Sequence, residues 1–128
     1  MIKVTAAVLL QDNRVFIARR KKGEQLSGHW EFPGGKVEDG ESLQKCLKRE
    51  MREEFQVDIT VGDFFAESRY NYPHGPIHLL AYWARWKQGT FTPSSHDQCR
   101  WVEINELDQY DFSPADRPLV KKLQEALG

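Results

Sequence analysis

Ile2 to Leu10 is a nearly unbroken run of aliphatic and β-branched residues and predicts a strand. Asp12-Asn13 marks a turn, and Arg14 to Ala18 reads as the returning strand of a hairpin. A charged loop from Arg19 to Ser27 leads to a short predicted strand at Trp30 to Phe32, closed by Pro33-Gly34-Gly35. Ser42 to Phe55 lacks Gly and Pro and is rich in helix formers, so it predicts a helix. Val57, Ile59 and Val61 alternate with polar residues as a strand does. Phe64 to Tyr72 and Ile77 to Trp86 predict two more strands around Pro73-His74-Gly75-Pro76. Thr90 to Gln98 reads as a polar loop and Cys99 to Ile104 as a strand. Pro118 suits a first helical turn, and Leu119, Val120, Leu123 and Leu127 form the apolar stripe of a last helix. Strands mixed with two helices predict an α/β fold, an α/β/α sandwich with a mixed sheet between helices.

Composition narrows the function classes. The 128 residues, free of repeats and low-complexity tracts, fit one domain over 1–128. With 40% hydrophobic residues the chain can bury a core. Lys+Arg at 18 against Asp+Glu at 19 gives a net charge of -1, which argues against holding long nucleic acid by bulk charge. A single nucleotide needs only a local basic pocket. No apolar run approaches the roughly 18 residues of a membrane span, and Met1-Ile2-Lys3-Val4 lacks a signal-peptide layout. Cys46 and Cys99 are too few for a disulfide scaffold, so a cytoplasmic protein is expected, a monomer or a homodimer.

The helix after Gly34-Gly35 carries the informative chemistry. Leu43, Leu47, Met51 and Phe55 form one apolar ridge. With Leu43 at zero on the helical wheel, Glu50 falls at about 340°, Glu54 at about 20° and Glu53 at about 280°. Acids overlapping the apolar arc are expensive to bury and repel one another. Basic partners such as Arg49 and Arg52 are one remedy. A hard divalent cation with oxygen ligands is the other, since Mg²⁺ typically takes one or two carboxylates plus substrate phosphates. An ordinary solvated helix rich in Glu and Arg also fits the wheel. Upstream, Gly35 can present a carbonyl to a metal, Lys36 a point charge to a phosphate, and Glu41 can pair with Arg49.

Gly35, Glu41, Arg49-Glu50-Met51, Glu53-Glu54 and Val57 match the Nudix box, a 23-residue pattern of fixed charged positions, with Gln56 where the pattern has Gly. The Trp30-to-Lys36 segment resembles the entry segment of MutT-type enzymes, and Phe112 to Leu119 resembles their nucleobase-side segment. The resemblance implies a Nudix-type α/β/α sandwich and hydrolysis of nucleoside triphosphates to monophosphate and pyrophosphate with Mg²⁺ or Mn²⁺. It implies Glu50, Glu53, Glu54 and the Gly35 carbonyl as metal ligands, with one of the glutamates, Glu50 by preference, activating water. Arg20 and Lys36 match phosphate-contacting positions, and Glu41 and Arg49 are structural in the box. Ser95 stands where relatives carry a further loop carboxylate, which leaves His96 or Asp97 as substitutes.

For the base, Asp116 replaces the Asn of enzymes specialised for oxidised guanine, and Gly75 stands near their hairpin Arg. An ionised carboxylate only accepts hydrogen bonds, which suits the cytosine amino group. The tail also resembles the cytidine triphosphate pyrophosphohydrolase branch, so CTP, dCTP or modified cytidine nucleotides are expected, in sanitation or control of the nucleotide pool. A protonated Asp116 would readmit oxidised purines such as 8-oxo-dGTP, and Asp116 also lies where an Asp caps a helix. Tyr72 could stack on a base or merely cover the core. The rival functions are hydrolysis of RNA 5′ ends, ADP-ribose or dinucleoside polyphosphates, a catalytically inactive nucleotide-binding module, and a purely structural helix-sheet domain.

Overall fold

A computed structural model describes all 128 residues. The elements run β1 (Ile2–Gln11), β2 (Arg14–Arg20), β3 (Trp30–Glu31), β4 (Gly34–Lys36), α1 (Leu43–Phe55), β5 (Val57–Tyr72), β6 (Gly75–Gly89), β7 (His96–Glu103) and α2 (Arg117–Leu127). Two 3-10 segments, Ile104–Gln109 and Pro114–Asp116, precede α2. The sheet is mixed: its main order is β3-β2-β1-β6-β5, with β1 and β6 parallel and the remaining pairs antiparallel.

β1 shows why its apolar run is continuous rather than alternating: both of its faces are covered. Ala6 and Val8 join a cluster with Leu119, Val120 and Leu123 of α2. Ala7 and Leu9 point the other way, to Leu47, Met51 and Phe55 of α1. Burying each of these large side chains is worth roughly 1.5–3 kcal/mol. The two helices therefore cover opposite faces of the sheet, and the expected sandwich is the observed one.

β1 pairs with β2 only near the turn, at Leu10↔Val15 and Gln11↔Arg14. The same edge pairs further back with β4 through Val4↔Lys36, Thr5↔Gly35 and Ala6↔Gly34. A Cβ on Gly34 would collide with the Thr5 carbonyl, so this backbone approach needs glycine.

Several boundaries differ from expectation. Arg19 and Arg20 belong to β2, not to the charged loop, and β7 starts at His96 while Ile104 lies beyond it. Gly34–Lys36 is a strand rather than a terminator. The segments at 57–61 and 64–72 are one strand, its register shifted between Val61 and Phe64. A bulge disturbs alternation locally without ending the ladder, which is how one strand reads as two.

Candidate active site

Ser42 caps α1 by accepting from the Lys45 N–H at 3.2 Å. At the other end Gln56 takes the left-handed conformation, φ 59° and ψ 35°, and returns its N–H to the Arg52 carbonyl. The loop before β7 satisfies the last carbonyls of the helix: Thr92 N–H donates to Phe55 O and Ser94 N–H to Glu54 O. These contacts fix the pitch and rotation of the helix that carries the three acids.

Arg49 organises those acids. Its Nε and Nη2 donate to both oxygens of Glu41 at 2.6 and 2.9 Å, and Nη2 also to the Lys36 carbonyl at 3.0 Å. Its Nη1 donates to Glu50 at 2.9 Å and Glu53 at 3.0 Å. The Arg49 bond, with one from the Glu38 N–H, pulls the Glu41 pKa down to about 2. Glu41 is thus anchored to Arg49, as the box resemblance implies.

Glu50 lies half-buried with its carboxylate packed on the Cα of Gly35, in the space a Cβ would fill. Burial raises its pKa, Arg49 opposes that rise, and Glu53 and Glu54 add to it. Glu54 accepts from the Ser94 hydroxyl at 3.1 Å. Arg49 engages Glu50 and Glu53 and Ser94 engages Glu54, and no three acidic, His or Cys side chains form a ready-made metal cluster. The donor set is nonetheless of the hard-oxygen kind that Mg²⁺ and Mn²⁺ prefer, and Glu50 is a crowded carboxylate that a cation would relieve. The residues fit such an ion.

The suggested loop ligands do not face these acids. His96 is buried, its Nε2 is 2.7 Å from Glu31 and its ring stacks on Phe55. Asp97 accepts a two-pronged bond from Arg19 at 2.8 and 3.0 Å. Ser94 is the loop residue that reaches Glu54.

A cleft of about 310 Å³ opens beside Gly35. Arg20, Gly35, Lys36, Tyr72 and Asp116, singled out from four separate stretches of sequence, all line it, together with Glu31. A larger hollow of about 620 Å³ at the β1–β2 turn is lined by Asp12, Asn13, Arg85 and Glu103 and gathers no comparable chemistry.

Asp116 is 6% exposed and accepts from the Phe32 N–H at 3.0 Å. It occupies the N-cap position of α2 but makes no side-chain capping bond there. Burial lifts its pKa well above the ordinary carboxylate range and the Glu31 charge lifts it further, against the Phe32 bond and Arg20. The Tyr72 hydroxyl accepts from the Ala115 N–H at 2.9 Å, so Tyr72 braces the segment that carries Asp116. The His74 ring lies parallel to Tyr72 at 5.1 Å and Tyr70 sits at 4.7 Å, which leaves Tyr72 little open face for a base.

Sequence reasoning passed over Glu31, whose carboxylate joins Arg20 and His96 inside the cleft wall. Its one signal was a charge set between two aromatic residues in a short strand. Cys46 of α1 is buried, with its sulfur against Thr5 Oγ1 and the Gly35 carbonyl.

Comparison with known proteins follows the same lines. The family model described as the NUDIX domain matches residues 4–122. A CTP pyrophosphohydrolase of Escherichia coli (strain K12) is 37% identical over 121 residues, 94% of this chain and 90% of that protein. An 8-oxo-dGTP diphosphatase of the same strain is 31% identical over 116 residues, 89% of this chain and 88% of that one. The solution structure of the E. coli ORF135 protein superposes with a TM-score of 0.84 at 35% identity, covering 98% of this chain and 89% of the other. No helix is long and apolar enough to cross a membrane.

Proposed function

The chain belongs to the Nudix hydrolase family, and on that premise we propose that it is a divalent-metal-dependent nucleoside triphosphate pyrophosphohydrolase acting on cytidine nucleotides. The observation that carries this reading is the convergence of Arg20, Gly35, Lys36 and Asp116 on one cleft, with the Glu50 carboxylate packed on Gly35 at its edge.

Glu50, Glu53, Glu54 and the Gly35 carbonyl are the groups that would hold Mg²⁺ or Mn²⁺, which when bound neutralises phosphate oxygens, activates water and stabilises leaving pyrophosphate. Arg20 and Lys36 supply the protein's own positive charge to the phosphate chain. Arg49 holds Glu50 through Oε1 and leaves Oε2, the oxygen against Gly35, to take the proton of the attacking water. Asp116 receives the base. In its neutral form it accepts from the cytosine amino group and donates to the adjacent ring nitrogen. The relative named as a CTP pyrophosphohydrolase supports this choice.

One observation favours a second substrate. Burial shifts Asp116 toward its neutral form, in which a carboxyl can also pair with oxidised guanine, which both donates and accepts, and relatives named as 8-oxo-dGTP diphosphatases match this chain.

Pyrophosphate release over a panel of ordinary and oxidised nucleoside triphosphates with Mg²⁺ tests the proposal. Turnover is expected to be highest for CTP or dCTP, to fall about a hundredfold or more in Glu53→Gln, and to change its ranking of bases in Asp116→Asn. A preference for 8-oxo-dGTP would transfer the assignment to the second substrate. A panel with no turnover would overturn the triphosphate reading.

A further inference from the structure

Glu31 is the one carboxylate in the cleft wall with both oxygens committed. Oε1 accepts from Arg20 Nε at 3.1 Å, and Oε2 lies 2.7 Å from His96 Nε2. The sheet register explains the meeting. On β2, Ala18 pairs with Glu31 of β3 and Arg20 pairs with His96 of β7, so the three side chains rise from neighbouring strands on the face that α1 covers. Side-chain exposure falls along this row, from 33% at Arg20 through 12% at Glu31 to 4% at His96. The His96 ring stacks on Phe55 at 5.0 Å, next to Glu54 and at the fixed end of the acid-bearing helix.

A guanidinium has five N–H donors in a rigid fork. Arg20 lines the cleft and, held through Nε alone, keeps its two terminal nitrogens uncommitted. Arg20 lines the cleft together with Asp116, and through Glu31 and His96 it is tied to Phe55, the chain neighbour of Glu54. The phosphate chain of a nucleotide with its base at Asp116 and its reacting bond at the acids has to pass this point.

We propose that Glu31 is the positioning residue for Arg20: braced by His96 on Phe55, it fixes the guanidinium so that both terminal nitrogens face the triphosphate. The proposal rests on the triphosphate reading of the cleft. An ion pair that served only to stabilise the sheet would not need one end of Arg20 left open. Glu31 does not touch the reacting atoms; its influence on turnover passes through Arg20.

The test is a double-mutant cycle on Arg20→Ala and Glu31→Ala, with Glu31→Gln as the near-isosteric variant that retains an acceptor for Nε and protects against a folding defect. Steady-state hydrolysis of CTP with Mg²⁺ is read beside calorimetric binding of inorganic tripolyphosphate. Glu31→Ala is expected to raise KM about tenfold, to weaken tripolyphosphate by the same factor and to change kcat less. Glu31→Gln should recover most of the loss, and Glu31→Ala should add nothing in the Arg20→Ala background. Additive losses, or a fall in kcat and melting temperature with KM and tripolyphosphate affinity unmoved, would overturn the positioning role while leaving the proposed function intact. Absence of triphosphate turnover by the unaltered protein would overturn the proposed function and this role with it.

Discussion

Asp116 shows how a residue's role depends on partners remote in sequence. Read locally, three residues after Ser113 and next to Pro118, it resembles a helix cap, but its carboxylate is taken by the Phe32 N–H, 84 residues away. Burial and the neighbouring charge of Glu31 raise its pKa, so the folded protein binds the proton more tightly than the unfolded chain. The associated stability is therefore present in full below the ordinary Asp value of about 3.9 and is lost as pH rises through the folded pKa. Asp116→Asn keeps an oxygen for the Phe32 N–H and removes the ionisation. Its melting temperature should equal that of the unaltered protein at about pH 4 and exceed it at pH 8. Thermal unfolding across that range checks the sign, and a variant less stable at pH 8 would mean that the fold does not favour the neutral form of Asp116. The Glu41–Arg49 pairing, by contrast, was readable in advance because eight residues across one helix entry are enough to set it.

At the scale of elements, adjacent glycines of β4 make separable predictions. A Cβ on Gly34 meets the backbone of Thr5, which cannot yield without breaking the β1–β4 ladder. The atoms nearest a Cβ on Gly35 all belong to the Glu50 side chain, which can swing aside. Gly34→Ala should destabilise the fold by about 2–4 kcal/mol. Gly35→Ala should fold nearly normally and lose about a hundredfold or more in turnover, because Glu50 is displaced. Denaturant titration beside hydrolysis rates tells the two apart; equal stability loss in both would remove the distinction. Gln56 offers the opposite case, a non-glycine residue at φ 59° where the chain leaves α1. Gln56→Gly should raise stability by about 0.5–1 kcal/mol, measured in the same titration, since the left-handed backbone no longer crowds a Cβ. The helix itself was plain in the sequence, from its run free of Gly and Pro and its apolar ridge. β5 was not, because its bulge breaks the period by which strands are recognised.

For the molecule as a whole, near-neutrality sharpens the last test. With 18 basic and 19 acidic residues, general repulsion is too small for salt to relieve much of it. Any stabilisation specific to a divalent ion must come from a local excess of acid. The sequence located that excess on α1, and the fold adds what no periodicity could reveal: β4 brings Gly35 against Glu50, and the loop before β7 brings Ser94 to Glu54. An ion entering there has to share Glu50 with Arg49 and to win Glu53 from it, so the gain on binding is reduced by the bond it displaces. At a concentration of Mg²⁺ about a hundred times its dissociation constant, linkage still gives about 2.7 kcal/mol. For a chain of this size that is a rise in melting temperature of roughly 10 °C. Differential scanning fluorimetry with Mg²⁺, against NaCl of equal ionic strength, should show this rise in the unaltered protein. It should be nearly absent in Glu50→Gln and Glu53→Gln, and retained in Glu106→Gln, an exposed acid remote from the cleft. An equal rise in all four proteins would place the ion elsewhere and leave the acids of α1 to Arg49 and Ser94.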